Sequence, residues 1–415
     1  MKPAAFLIGL CCAFSLARAT APAASPATSP AAPRVFLLDR LRLIDSKLRL
    51  ERGDTSLAPA REALRHDAAR AMKLGPFSVT DKQASPPSGD KHDYLSQAPY
   101  WWPDPEKPDG LPYIRRDGKR NPDIYKIPDN LSMKQMIETA HTLALAWYFT
   151  GDETYARRAA LLLRTWFIAP ETRMNPHLRF AQGIPGVNTG RGIGIIESVS
   201  LTTAIDAVGL LESSPAWTDD DQRAIRAWFD QYLTWLLESE NGKDESAEKN
   251  NHGTHYDLQV VTFALFLGKD DVAKATLSAV PQKRIAVQIE PDGRQPLELA
   301  RTKAWSYSIM NLRGLMQLAQ LGEHVNVDLW KCKTPDGRCI RAALDYLGPY
   351  ATGEKAWPHE QINGFRPEGA IILFRRAAVE YPDSAYSRMK LPPLPPAHID
   401  NLIGPRLIGN DEDRK

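Results

Sequence analysis

A helical rhythm that recurs along almost the whole chain most limits what it can fold into. Apolar residues return at helical spacing over Val35–Leu50, Thr55–Leu74, Asn130–Phe149, Glu153–Phe167, Ile195–Leu211 and Asp219–Glu238. They do so again over Thr254–Leu267, Asp271–Val280, Pro296–Leu321, Gly337–Leu347 and Arg366–Tyr381. Alternating apolar–polar runs are scarce, and the helices follow one another through short Gly or Pro turns without the rhythm of a parallel sheet. This pattern predicts one all-α domain of helical hairpins, an incomplete (α/α) toroid or barrel over residues 34–390, with a C-terminal tail at 391–415. No fixed-period repeat is visible, which argues against a solenoid. One segment breaks the rhythm: residues 76–128 are rich in Pro, Gly and Trp, too long for a mere connection and therefore expected to be functional.

The N-terminus has the form of a cleaved secretory signal over residues 1–19: Lys2, an apolar run from Phe6 to Leu16, then Ala17-Arg18-Ala19. Neither Cys11 nor Cys12 follows a lipobox, so a lipid anchor is disfavoured. Residues 20–33, mostly Ala, Pro, Ser and Thr, read as a flexible tether. The mature protein is thus expected to be periplasmic or secreted. Processing removes Lys2 and Arg18 from 52 basic residues and nothing from 50 acidic ones, leaving 50 of each. A formally neutral, 43% hydrophobic chain supports neither a nucleic-acid nor a membrane-surface role, and any anionic ligand must be gripped by a local cluster. No later stretch reads as a membrane span, and no obligate protein partner is indicated. The cysteines that survive processing, Cys332 and Cys339, flank a Pro335-Asp336-Gly337 turn and are expected to form a disulfide in an exported protein.

The densest chemistry lies in Asn250-Asn251-His252-Gly253-Thr254-His255-Tyr256-Asp257, which runs into an apolar helix ending at Gly268. At such a helix mouth, unpaired N–H groups and the dipole can hold an anion. Three more constellations stand out. Tyr100-Trp101-Trp102 lies in the proline-stiffened loop, where consecutive aromatics offer a platform for sugar rings or anchor the loop, with Arg115 and Arg116 nearby to pair with carboxylates. In Gly183–Gly194 several glycines interleave with Asn188 and Arg191 and allow close backbone approach to a ligand. Downstream, Arg294 precedes a helix expected to carry Arg301 and Tyr307, six residues apart and facing one cavity from adjacent turns.

Together, Asn250-Asn251-His252-Gly253-Thr254, the Tyr100-Trp101-Trp102-Pro103-Asp104-Pro105 loop and Pro296-Leu297-Glu298-Leu299-Ala300-Arg301 leading to Tyr307 resemble the alginate lyase family of polysaccharide lyases, over about residues 90–380. The resemblance implies an α/α toroid that cleaves uronic-acid polysaccharides by β-elimination. It implies that Asn251 and His252 form the carboxylate-neutralising and base-region pair, that Arg301 is the active-site arginine and that Tyr307 is the catalytic tyrosine. Asn188 is carried over on the glycine-rich motif alone. His255 stands where an aromatic is common, and Ser306 where a histidine is expected before the tyrosine.

The chemistry asks for these residue types independently. Elimination across C4 and C5 of a uronate removes a proton alpha to a carboxylate, which needs that carboxylate's charge offset by amide, imidazole or guanidinium donors. A base takes the C5 proton and an acid protonates the C4 oxygen. Tyr307 can serve in both roles when the two groups share a face, or pair with His252 when they do not. Tyr100, Trp101, Trp102, Arg116, Asn188, Arg191, His255, Tyr256 and Arg294 are the expected substrate-binding residues of an anionic polysaccharide, with no cofactor and no metal. Two alternatives remain: hydrolysis using carboxylates among Asp257, Asp292 and Glu298, or an exported carbohydrate-binding protein built on Trp101 and Trp102. A metal reading would rest on His252, His255 and Asp257.

Overall fold

The computed structural model describes Met1, residues 32–382 and residues 384–405. The expected signal sequence and most of the tether lie outside the described residues. The described helices, in chain order, are α1 (Arg40–Glu51), α2 (Ala58–Ala71), α3 (Asp129–Thr150), α4 (Glu153–Phe167), α5 (Leu201–Leu211), α6 (Asp219–Glu238), α7 (Glu240–Ala247) and α8 (Asn251–Leu267). They continue with α9 (Asp270–Val280), α10 (Ala286–Gln288), α11 (Pro296–Leu299), α12 (Ala304–Gly322), α13 (Ile340–Ala351), α14 (Ile371–Glu380) and α15 (Asp400–Ile403). Only four short strands interrupt them among the described residues: β1 (Leu95–Gln97), β2 (Trp101–Trp102), β3 (Ile114–Arg115) and β4 (Phe180–Gly183). The all-α toroid of helical hairpins is therefore the architecture found.

Local signals explain the hairpins. Gly151 and Gly268 end α3 and α8 in the left-handed conformation, at φ 71° and 73°, which a residue with a Cβ adopts only with strain. Asp152 caps α4, and a Thr218–Asp221 capping box opens α6. Thus α3 turns straight back along α4, and α8 along α9. Helix α8 is the axis of the core. Every residue from Gly253 to Phe266 is buried, between α5, α6, α7, α9 and α12. Truncating one of its fully buried rings, Phe263, to alanine would cost about 3–5 kcal/mol.

Several sequence expectations need correction. The first helix starts at Arg40 rather than Val35, because the N–H groups of Phe36, Leu37 and Leu38 donate to the buried Asp206 carboxylate at 2.6, 3.0 and 2.7 Å. Helix α7 was not expected, since Glu240–Ala247 is polar all round. The stretch Pro296–Leu321 is two helices, not one, and Arg301 lies in the break. Gly192–Leu211 is long and apolar enough to cross a membrane, contrary to the sequence reading, but 67% of that stretch is buried inside the domain as a 3-10 turn and α5. The described part of the C-terminal segment docks on α1, where Ser46 donates to the Leu402 carbonyl at 2.7 Å and Leu402 is fully buried. The expected disulfide is absent: Cys332 and Cys339 are free thiols. Cys339 instead caps α13, its Sγ accepting from the Ala342 N–H at 3.4 Å.

Candidate active site

The Pro-rich segment is fixed to the helices before it reaches the site. Lys82 and Asp129 form an ion pair at 3.0 Å with side chains 0% and 1% exposed, and Asp129 also accepts the Leu95 N–H at 2.9 Å. A buried pair that loses one partner leaves an uncompensated charge. Lys82→Met is therefore expected to destabilise the protein by about 3–5 kcal/mol, read as a fall in the urea midpoint without a change in slope.

Beyond this anchor, β1 pairs in parallel with β4, and β2 pairs antiparallel with β3, Trp101 opposite Arg115. The glycine-rich segment then crosses behind β4. A Cβ at Gly190 would lie 2.1 Å from the Arg179 carbonyl, and one at Gly194 would lie 2.6 Å from that of Ala181. The close approach foreseen for these glycines is thus to the protein's own backbone.

These elements enclose a cleft of about 680 Å³. Its lining brings together Tyr100, Trp101, Arg191, Asn251, His252, Arg301 and Tyr307 from separate stretches of chain. The cleft carries five basic side chains, Arg115, Arg120, Lys134, Arg191 and Arg301, against two acidic ones, Glu197 and Glu248. In a neutral chain this local excess favours an anionic ligand. Burial, then the neighbouring Arg115 charge, pulls the Arg191 pKa down to about 10. A carboxylate in the cleft, as an opposite charge beside Arg191, would oppose that fall.

Two hydroxyls and a guanidinium meet on one wall. Tyr307 Oη lies 2.9 Å from Tyr100 Oη, and Arg301 Nη2 donates to it at 3.1 Å. The guanidinium carbon sits 4.1 Å from the centre of the Tyr307 ring. Arg301 reaches this position because the chain leaves helix between α11 and α12. There Asp117 accepts from Arg301 Nη2 at 2.8 Å, from the Thr302 N–H at 3.3 Å and from Thr302 Oγ1 at 3.0 Å. Burial alone would raise the Asp117 pKa, but the Arg301 hydrogen bond and charge hold it at about 2. A depressed carboxylate contributes stability above its ordinary value of 3.8 that is lost as pH falls toward 2. The docking of this loop should therefore survive to below pH 4, monitored by tryptophan fluorescence. Burial, then the Tyr100 hydroxyl, pushes the Tyr307 phenol well above its ordinary value, while the Arg301 charge opposes the rise.

On the facing stretch, each of the paired polar residues is backed by a buried carboxylate. Glu298 accepts the Asn251 N–H and Asn251 Nδ2, both at 2.7 Å. The anion at this helix mouth is therefore the protein's own Glu298, and the expected open anion site is filled. Because a carboxylate only accepts, the contact also fixes which end of the Asn251 amide is nitrogen. His252 Nδ1 lies 2.9 Å from Glu245 Oε1.

Comparison with known proteins identifies the family. The family model described as Alginate lyase matches residues 78–357. A solved alginate lyase from Bacteroides ovatus is 41% identical and superposes with a TM-score of 0.86, over 89% of this chain and 99% of that one. The chain belongs to the alginate lyase family. It is a polysaccharide lyase. Alginate lyase A1-III from Sphingomonas species A1 shares the fold at 16% identity, with a TM-score of 0.58 over 92% of this chain and 99% of its own. A histidine-to-alanine variant of A1-III complexed with a tetrasaccharide gives the same values. No curated protein matches the sequence.

Not every expected residue of this lyase reaches the cleft. His255 packs in the core against Gly314, and burial lowers its pKa to about 4. Tyr256 is buried and donates to the Leu236 carbonyl at 2.8 Å. Arg294 pairs with Asp292 at the surface, at 2.6 Å. Asn188 accepts from the Ile184 N–H at 3.1 Å, within its own turn. Trp102 donates to the Lys119 carbonyl at 2.9 Å with Arg116 stacked on it, 5.4 Å from the ring, so this pair does not line the cleft.

The carboxylates proposed for hydrolysis are engaged elsewhere. Asp257 is locked to buried Arg284 at 2.7 and 3.0 Å, Asp292 to Arg294, and Glu298 to Asn251. The His252, His255 and Asp257 set does not converge on one point, for the same reasons.

Residues the sequence reading passed over include Glu197, Gln182 and Asp117. Glu197 accepts from Tyr94 at 2.8 Å and Ser96 at 2.6 Å in the cleft wall, and its one signal was a carboxylate inside an apolar run. Gln182 takes φ 51° and accepts from Arg191 at 2.8 Å, a left-handed conformation that sequence does not announce.

Proposed function

We propose that this lyase cleaves a 1,4-linked polyuronate of the mannuronate or glucuronate type by β-elimination, with Tyr307 acting as base and then acid. The observation that carries this reading is the single phenol oxygen held between Tyr100 and Arg301 in a basic cleft, beside Asn251 and His252. In such polymers the C5 proton and the C4 oxygen lie on one face of the sugar, within reach of one group. The Asn251 amide and His252 imidazole offset the substrate carboxylate and stabilise the enolate-like intermediate. Arg301 is engaged by Asp117 and faces the Tyr307 oxygen, so its charge favours the phenolate. Elimination then proceeds by transfer of the C5 proton to the phenolate and return of a proton from the phenol to the departing C4 oxygen.

Trp101 supplies a stacking face at the cleft, with the Arg191 guanidinium 5.9 Å from its ring. Trp101→Ala is expected to raise KM about tenfold, corresponding to roughly 1–1.5 kcal/mol of lost aromatic contact, with a smaller change in kcat. The N-terminal signal pattern supports export to the periplasm or medium.

The substrate assignment is tested with initial rates on polymannuronate, glucuronan, hyaluronan and polyguluronate. Turnover of polymannuronate or glucuronan with little on polyguluronate is expected. Preference for polyguluronate would move the base to His252, on the opposite face, and overturn the single-phenol reading.

A further inference from the structure

The carboxylate behind His252 has no part in the steps above. We propose that Glu245 is a positioning residue that holds the proton of His252 on Nδ1, so that Nε2 is presented to the cleft. This assignment rests on the elimination reading for its kinetic meaning, but not for its geometry.

The Glu245 side chain is 0% exposed, and its Oε1 lies 2.9 Å from His252 Nδ1. An ionised carboxylate only accepts, so Nδ1 must be the donor and the free nitrogen is Nε2. The other oxygen, Oε2, is buried without a hydrogen-bond partner. A buried carboxylate costs stability unless paired, and among the contacts of Glu245 the imidazole is the one that offsets its charge at close range.

The backbone around the pair is built to keep it. Arg284 donates to the Ser246 carbonyl at 2.9 Å, to the Glu248 carbonyl at 2.7 Å and to Asp257, clamping the junction between α7 and α8. Gly253 completes the clamp, since a Cβ there would lie 2.2 Å from the Glu248 carbonyl oxygen and 2.3 Å from the Arg284 guanidinium. This is also where α7, invisible in the sequence pattern, acquires a purpose.

The charged surroundings are mixed. His252 faces Glu298 and His255 besides Glu245. Glu245 faces Asp244, Glu248, Arg191 and the phenols of Tyr232 and Tyr256. Burial pushes the Glu245 carboxyl up, and the His252 charge draws it back down. In the protonated imidazole both nitrogens donate, Nδ1–H to Glu245 and Nε2–H toward a substrate carboxylate.

Histidine NMR of nitrogen-labelled protein, with His252→Gln to assign the signal, tests this without turnover. In the neutral form the proton is expected on Nδ1. In Glu245→Gln, whose amide can donate as well as accept, the Nδ1–H tautomer should lose its dominance and the Nε2–H form should rise. With it, kcat should fall about 10- to 100-fold, as when an orienting partner is lost. Glu245→Asp, which keeps an acceptor-only group, should recover part of the Nδ1–H population. A neutral His252 protonated on Nε2 in the unsubstituted protein would overturn the proposal, as would an unchanged tautomer ratio in a folded Glu245→Gln. Failure to form any unsaturated product would refute elimination, yet leave the NMR result to decide the role of Glu245.

Discussion

Replacing Tyr307 by phenylalanine is expected to lower kcat about 10³-fold or more, with little change in KM. A positioned acid–base group contributes roughly 10²–10⁴-fold, and here one oxygen serves both proton transfers. The ring itself remains, so the face packed against Arg301, 4.1 Å from the guanidinium carbon, is kept. What is lost is the oxygen that meets Tyr100 at 2.9 Å and Arg301 at 3.1 Å. Stability should barely change, which separates this variant from a folding defect. A variant that keeps more than about a tenth of the activity would remove Tyr307 from the chemistry, because that is less than the smallest contribution such groups make.

Arg301→Ala is expected to have the next largest effect, a loss of about 10²–10³-fold in kcat, the range for removing one preorganised electrostatic donor. It should also move the pH profile. The phenol is already raised above its ordinary value by burial and by Tyr100, and Arg301 is the group that opposes the rise. Without it the phenolate forms at still higher pH, so the limb along which activity climbs with pH should shift upward. Arg301→Lys keeps a charge but not the fork that binds Asp117 and the phenol together, and should recover only part of the shift. If the Arg301→Ala profile keeps its midpoints while kcat falls, the arginine acts on the substrate rather than on Tyr307.

Much of the fold was legible in the sequence because its helices bury one face against neighbours, and that burial writes a period of about 3.6 residues into the chain. The misreadings have local causes. In Pro296–Leu321 the periodicity continues through Arg301–Lys303, although Asp117, 184 residues away along the chain, pulls the backbone out of helix there. Helix α7 has no apolar stripe to read, and its hold comes from Arg284 and the glycine-rich segment.

At the site, residue types that elimination needs were found in short motifs, and Asn251, His252, Arg301 and Tyr307 do share one cleft. The carboxylates that orient them were not foreseen. Glu245, Glu298 and Asp117 act through contacts that sequence spacing does not encode, and an acidic residue in a polar run looks like surface until its partner is known. His255 and Tyr256 failed for the opposite reason: they adjoin the motif in sequence, but on α8 the helical turn carries them into the core.

The most direct test of the account follows a polymannuronate digest by ultraviolet absorbance of the unsaturated uronate and by reducing-end assay on the same samples. Elimination predicts that each new reducing end appears with one new unsaturated end, at a constant ratio through the reaction. Reducing ends that accumulate without the chromophore would mean that water, not the Tyr307 proton relay, breaks the chain.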